Sequence, residues 1–271
     1  MCFRTPFHVV EPKYPGVCEQ ILNFGEFWRS EQFEGKAAEI LEVTEYNRRL
    51  HRTASRYMNA AGQLINDNFK LADSCTDKGK LSRFADALCR RYIPKKGDDG
   101  REWVRFIEGI TPLGVVAYTG TVSAMAGTVI PISDEFGSVS RVIMAAVRDY
   151  ALTAGYEIIT LKSPFLPDLF IDHVIIPELS LAFVRENGRL RFETDERRIH
   201  ARRFVNSKQL HLSRKRIHFN QKAAGQLLLS AAHTLNEAKQ AHDKMEAYYI
   251  DAMDFGGGTR FATEFCEKIF G

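Results

Sequence analysis

The sequence predicts an α/β protein with a mostly parallel sheet flanked by helices and with long helical extensions. Three observations predict it. Short β-branched apolar runs alternate with a helical pattern between residues 105 and 200. Long stretches on either side carry apolar residues at helical spacing. Those two stretches are copies of each other.

The elements follow in chain order. Residues 36–73 and 81–93 read as helices, and KKGDDG (95–100) reads as a charged linker. VVAYTG (115–120) and TVIPIS (128–133) read as strands, being rich in Val, Ile, Thr and Tyr. Residues 138–154 form a helical pattern that stops at Gly155, a usual C-terminal residue. YEIITLK (156–162) and HVIIPELSLAFV (173–184) are further strands. From 219 to 252 the pattern is one long helix, with Leu227, Ala231, Leu235 and Ala238 on one face. FGGGT (255–259) is expected to break the chain before a last helix, with Thr259 as its N-cap; a phosphate-sized anion is the alternative occupant of those glycines.

The copies align without a gap at an offset of 177 residues. RFADALCRRYI (83–93) matches RFATEFCEKIF (260–270), and FWRSEQF (27–33) matches FVNSKQL (204–210). About 15 of the 68 positions in 26–93 agree, several times the chance level. Either the first unit is truncated, lacking its own α/β segment, or a helical module alone was duplicated around an inserted core. The expected organisation is a mainly helical first repeat over 1–94, a linker over 95–104, and an α/β unit with C-terminal helices over 105–271.

Composition narrows the class. The chain has 271 residues, 45% of them hydrophobic, and a net charge of +3. No apolar run approaches the ~20 residues that span a bilayer, so no membrane partner is expected. Prolines and charges interrupt MCFRTPFHVVEPKYPG, which does not read as a secretory leader. The five cysteines form no C-x-x-C pair, which argues against a disulfide framework or a zinc site. A reduced, cytoplasmic protein is expected.

The stretch TVIPISDEFGSVSRVIMAAV (128–147) has the strand–loop–helix frame of a phosphate-binding loop. A working loop reads G-x-x-x-x-G-K-[ST]; its backbone N–H groups and lysine hold phosphates, and its hydroxyl ligates Mg²⁺. Counting back from Gly155 puts Asp134 and Val139 at the two glycine positions, Ser140 at the lysine and Arg141 at the hydroxyl. Gly137 is the remaining glycine. Asp134 and Glu135 bring carboxylates to where an anion would sit, and Asp134 or Ser138 can cap the helix instead. The candidate nucleotide-binding residues are therefore Asp134, Gly137, Ser138, Ser140 and Arg141, with no catalytic and no metal residue assigned.

With these stretches the chain resembles a bacterial family of ATPase-like proteins built as two tandem P-loop NTPase-like halves. FIEGITPLGVVAYTG (106–120), ISDEFGSVSRV (132–142), LPDLFIDHVIIPELSLAFV (166–184), EAKQAHDKMEAYYIDAMDF (237–255) and TPFHVVEPKYPG (5–16) carry the resemblance. It implies a P-loop NTPase fold, ATPase ancestry, and ATP and Mg as cofactors. The chain departs from the pattern at Ser140 and Arg141, where the family has the lysine and the hydroxyl. It departs again at Arg185, where the family carries an aspartate. A degenerate, non-catalytic or weakly nucleotide-binding relative is expected. An ATPase that retains hydrolysis, with Arg141 replacing the lysine, is one alternative. The other is an adaptor or nucleic-acid-binding protein.

That last alternative rests on RRIHARRFVNSKQLHLSRKR (197–216), with eight Lys/Arg and no acid. Such a run either neutralises phosphates or an acidic partner, or forms a solvated face. His242, Asp243 and Glu246 fall within one turn of a predicted helix. The H-x-x-x-E pair could hold a metal, but a third ligand is not evident, so an i,i+4 pair on a solvated face is expected there.

Overall fold

The computed structural model describes residues 14, 16–18, 20–97 and 99–270. The 5–16 segment named above lies outside the described residues, apart from Tyr14 and Gly16. Two compact units are present: Met1–Tyr46 with Gln240–Gly271, and Asn47–Lys239.

The elements are α1 (Ala37–Asp73), α2 (Lys78–Tyr92), β1 (Arg101–Arg105), β2 (Glu108–Thr111), β3 (Gly114–Ala117), α3 (Thr119–Met125), β4 (Thr128–Ser133) and α4 (Ser140–Thr153). Then come β5 (Glu157–Lys162), β6 (Ile171–Ile176), β7 (Leu181–Glu186), β8 (Ile199–His200), α5 (Ser207–Leu212), α6 (Arg214–Ala252) and α7 (Phe255–Phe270). The fold is α/β, with a mostly parallel six-stranded sheet in the order β1-β5-β6-β7-β4-β8. Only β6 runs against its neighbours.

Both faces of the sheet are covered, which is why its strands read as continuous apolar runs. Alternate residues feed alternate cores. Ile132, Ile158, Ile176 and Phe183 join Ile143, Met144 and Val147 of α4 and Leu81 and Leu88 of α2 on one face. Val129, Leu161, Ile175 and Ala182 join Val122 of α3, Leu190 and Phe192 on the other. Burying each large side chain contributes about 1.5–3 kcal/mol.

Three expectations are corrected. The segment expected as linker ends in a strand: β1 pairs parallel with β5 from Arg101 to Arg105. Glu102 fastens it, accepting from Arg148 Nε of α4 at 2.9 Å and from Thr160 Oγ1 of β5 at 2.8 Å. The strand expected over 115–120 ends at Ala117, because Thr119 and Gly120 already belong to α3. The three glycines of 256–258 do not interrupt the chain between helices; they lie in the first turns of α7. The cap is Asp254, whose Oδ1 accepts from Gly257 N at 2.9 Å, while Thr259 bonds back to Phe255 O.

The copies keep the same elements at the 177-residue offset. Helix α1 (37–73) maps onto 214–250 of α6, and α2 (78–92) maps onto 255–269 of α7. The contacts map as well, with the copies exchanging roles. In the larger unit Asp77 N donates to Phe204 O, and Asn206 N donates to Cys75 O, both at 2.8 Å. In the smaller unit Asp254 N donates to Phe27 O, and Arg29 N donates to Ala252 O, again at 2.8 Å. Each unit thus pairs the lead-in segment of one copy with the helix–helix turn of the other. The bridges Thr76–Val205 and Trp28–Met253 and the ring pairs Phe84–Phe204 and Phe27–Phe261 repeat the relation.

Candidate functional site

The loop after β4 bends back on itself around one carboxylate. Asp134 Oδ1 accepts from Gly137 N at 3.0 Å. Its Oδ2 accepts from Val139 N and Ser140 N at 2.8 Å and from Ser140 Oγ at 3.0 Å. The residue next to α4, Val139, offers no side-chain cap. Asp134 therefore caps the helix from six residues upstream, and it is 3% exposed. Free N–H groups at a helix start form an anion site. Here the anion is part of the chain.

Gly137 makes this turn possible twice over. Its φ is +82°, where a side chain is strained. A Cβ there would also lie 2.8 Å from Arg141 Nε. Arg141 folds back over the loop, and its guanidinium carbon lies 3.2 Å from the centre of the Phe170 ring and 4.6 Å from that of Phe69. Its Nε is 4.0 Å from Asp172 Oδ1. None of its three nitrogens has a hydrogen-bond partner among the described residues. Burial, then the like charge of Arg185, pulls its pKa down to about 9 against the pull of Asp172, so it stays charged at neutral pH. A buried cation held by ring faces and one distant carboxylate is an expensive arrangement.

Arg185, at the end of β7, ties the loop to the sheet. Its Nε donates to Asp134 O at 3.0 Å, one terminal nitrogen to Glu135 O at 2.7 Å, and the other to Asp172 Oδ1 at 3.0 Å. Burial opposes the charges of this pair. For Asp172, Arg185 and Arg141 outweigh burial and hold the carboxyl below its usual range. For Arg185, Asp172 and Asp134 outweigh burial and raise the pKa. The neighbouring His173 accepts from Arg185 N through Nδ1 at 3.1 Å, and burial pushes it down to about 4, so it is neutral at pH 7.

Beside the loop lies a cavity of about 240 Å³. It opens where β4, β5 and β7 end, since Glu135, Phe136, Ser163, Asn187 and Arg189 line it. Ligands of open α/β sheets bind at such carboxyl ends. Asp172 and Arg185 of the sheet, Glu108 of β2, and Asn68, Asn220 and Gln221 of α1 and α6 also line it. Burial raises the Glu108 carboxyl, with Arg189 pulling the other way. Across α1 and α6, Asn220 Nδ2 donates to Asn68 Oδ1 at 2.9 Å and to Asp67 Oδ2 at 2.6 Å.

The five residues expected at the loop lie together. Asp134 and Ser140 bond each other, Arg141 covers Gly137, and Ser138 Oγ is buried with no hydrogen-bond partner among the described residues. None of the five lines the cavity; Glu135 and Phe136 between them do. Sequence reading missed Asp172, Glu108, Arg189 and the Asn68–Asn220 pair. The one legible signal was an acid opening the apolar run DHVII.

The other candidates are dispersed. His242 Nδ1 and Glu246 Oε2 lie 3.9 Å apart on an exposed face of α6, and Asp243 brings a third ligand atom within 4.8 Å. Of the basic segment, Arg198 donates to Glu186 at 2.9 Å and Arg216 to Asp67 at 2.7 Å, while Arg202, Lys208, Arg214 and Lys215 are exposed. No helix among the described residues is long and apolar enough to cross a membrane. No family model, curated protein or solved structure matches the chain.

Proposed function

We propose that this is a P-loop NTPase-like protein whose nucleotide loop is closed by its own carboxylate, and that it is non-catalytic or binds nucleotide only weakly. The observation that carries the reading is the Asp134 carboxylate, which accepts three backbone N–H bonds and one hydroxyl bond in the turn before α4. A triphosphate would have to displace an anion that is covalently attached and already bonded.

The residues present do not fit Mg·ATP. Arg141 stands where a metal-binding hydroxyl belongs, and its guanidinium is held by Phe170 and Phe69. Charge-assisted contacts contribute roughly 1.5–3 kcal/mol each, so losing the lysine and the hydroxyl weakens a micromolar site to millimolar or beyond. No hydrolytic step is derived for this loop.

Calorimetric titration of the full chain with Mg·ATP tests the reading. Wild type is expected to give no heat at micromolar nucleotide. Micromolar binding that disappears on Arg141→Ala would instead favour an ATPase in which Arg141 replaces the lysine. The exposed heads of Arg202, Lys208, Arg214 and Lys215 support a second reading, an adaptor for nucleic acid or an acidic partner. Binding of that kind falls steeply with salt.

A further inference from the structure

The cavity beside the loop holds more acid than base. Three carboxylates line it, Glu108, Glu135 and Asp172, against two guanidiniums, Arg185 and Arg189. Arg141 and Asp134, which adjoin this set, offset each other. The compensation is also uneven. Arg185 at 3.0 Å and Arg141 at 4.0 Å both approach Asp172 Oδ1, and Oδ2 accepts no hydrogen bond among the described residues. Arg189 lies over the Phe165 ring, 5.1 Å from its centre, and forms no salt bridge with either glutamate. Glu135 Oε2 accepts from Gly188 N at 2.7 Å. Glu108 has neither a hydrogen bond nor a salt bridge among the described residues, and burial holds its carboxyl above the usual range. A half-buried carboxylate left in that state is costly.

Two neutral side chains add unused acceptors. Ser163 is 3% exposed and Asn220 is 4% exposed, and both line the cavity. Asn220 Nδ2 donates to Asp67 and Asn68, which fixes the amide and leaves its Oδ1 with no hydrogen bond among the described residues. Ser163 Oγ has none either. Much of the remaining lining is apolar, with Phe165, Ala224 and Leu228 in one cluster and Ile65 packed against it.

These groups select their ligand by chemistry. An anion would meet the excess of acid. A bare metal ion does not fit, because Glu108, Glu135 and Asp172 do not converge on one point; among the described residues only His242, Asp243 and Glu246 do so. A cavity of about 150 Å³ takes up benzene, so about 240 Å³ admits a somewhat larger molecule. We propose that this cavity binds a small organic cation, a primary ammonium on a short apolar body, with Glu108 as its counter-ion and Asp172 Oδ2, Ser163 and Asn220 as further acceptors. The apolar body packs against Phe165 and Leu228. None of the five candidate residues of the loop lines the cavity, so the inference does not rest on the reading of the loop.

Calorimetric titration of the full chain with phenethylammonium and with butylammonium chloride tests the proposal. Phenethyl alcohol and hydrocinnamate serve as the neutral and anionic counterparts. At least one ammonium is expected to bind with a Kd of about 1 mM or tighter, and the alcohol and the anion about tenfold more weakly or worse. Two variants locate the binding. Glu108→Gln removes the charge at nearly constant shape and should weaken the ammonium about tenfold or more while leaving the alcohol unchanged. Gly225 of α6 also lines the cavity, and a Cβ there meets nothing within 4 Å. Gly225→Leu therefore suits the helix, should keep the chain folded by thermal unfolding, and should abolish binding by occupying the cavity. No ammonium binding at about 10 mM would overturn the proposal. So would an alcohol or anion that binds as well as the ammonium, or an ammonium affinity that either variant leaves unchanged.

Discussion

Arg141 lies directly over Gly137, so close that a methyl group on Gly137 would sit 2.8 Å from Arg141 Nε. The loop and the first turn of α4 are one folded object, and neither can change without the other. Gly137→Ala is therefore expected to cost more than a surface glycine substitution. The strained φ alone costs about 1–3 kcal/mol, and moving Arg141 off Phe170 adds to it. Denaturant unfolding should show the loss, while Gly109→Ala, where a Cβ meets nothing within 4 Å, should be far milder.

Removing the capping carboxylate tests the loop from its other side. Asp134→Ala strips the acceptor from three N–H groups and from Ser140 Oγ. A lost cap costs roughly 0.5–2 kcal/mol, and this one is buried, so the upper end is expected. The same variant should bind inorganic phosphate better than wild type does. Unchanged stability would mean that the cap contributes nothing.

Stability should fall in acid on account of His173. Its folded pKa is depressed to about 4 from 6.5, so the unfolded chain takes up the proton first. The contribution is present in full above pH 6.5 and is lost as pH drops towards 4. At about 1.36 kcal/mol per pKa unit the loss is of order 3 kcal/mol. Asp172, whose folded pKa is also depressed, adds a further loss as pH falls below the ordinary carboxylate range. Unfolding free energies of wild type and His173→Gln across pH 4–7 check this: the variant should lose the slope between 6.5 and 4.

The repeat predicts matched energetics at distant sites. Asp77 caps α2 through Lys80 N at 2.9 Å, and Asp254 caps α7 through Gly257 N at 2.9 Å. Each substituted by alanine should cost about 1 kcal/mol. A cost at one position and none at the other would show that the two turns are alike in geometry only.

An inverted ion pair provides a finer test. Arg216 Nε donates to Asp67 at 2.7 Å, and the counterpart of this pair is Lys244 with Glu39 at 3.0 Å, the signs exchanged between the copies. Arg216 is mostly exposed, so the coupling should be only about 0.2–1 kcal/mol. A double-mutant cycle with Asp67→Lys and Arg216→Glu should recover part of each single loss. Simple additivity would show that the pair contributes no coupling.

Much of this protein is determined by its sequence alone. Periodicity marks α1, α2, α4 and α6, and glycine at 155 ends α4, because those signals depend on residues within a turn or two of each other. Aligned residues such as Phe84 with Phe261 and Cys89 with Cys266 show the 177-residue offset at which the helices correspond. The strand–loop–helix frame at 128–147 and the absence of a lysine from 134–141 are equally local. Tertiary structure alone decided the rest. The charged run REWVR becomes β1 because β5 supplies its hydrogen bonds and Arg148 and Thr160 fasten Glu102. Arg185 binds a loop about fifty residues upstream, and Asn68 meets Asn220 across more than a hundred and fifty residues. Neither contact leaves a periodic trace. The exchange of roles between the copies has the same origin. Two similar lead-in segments and two similar turns allow either self-pairing or crossing, and only tertiary packing selects the crossed arrangement.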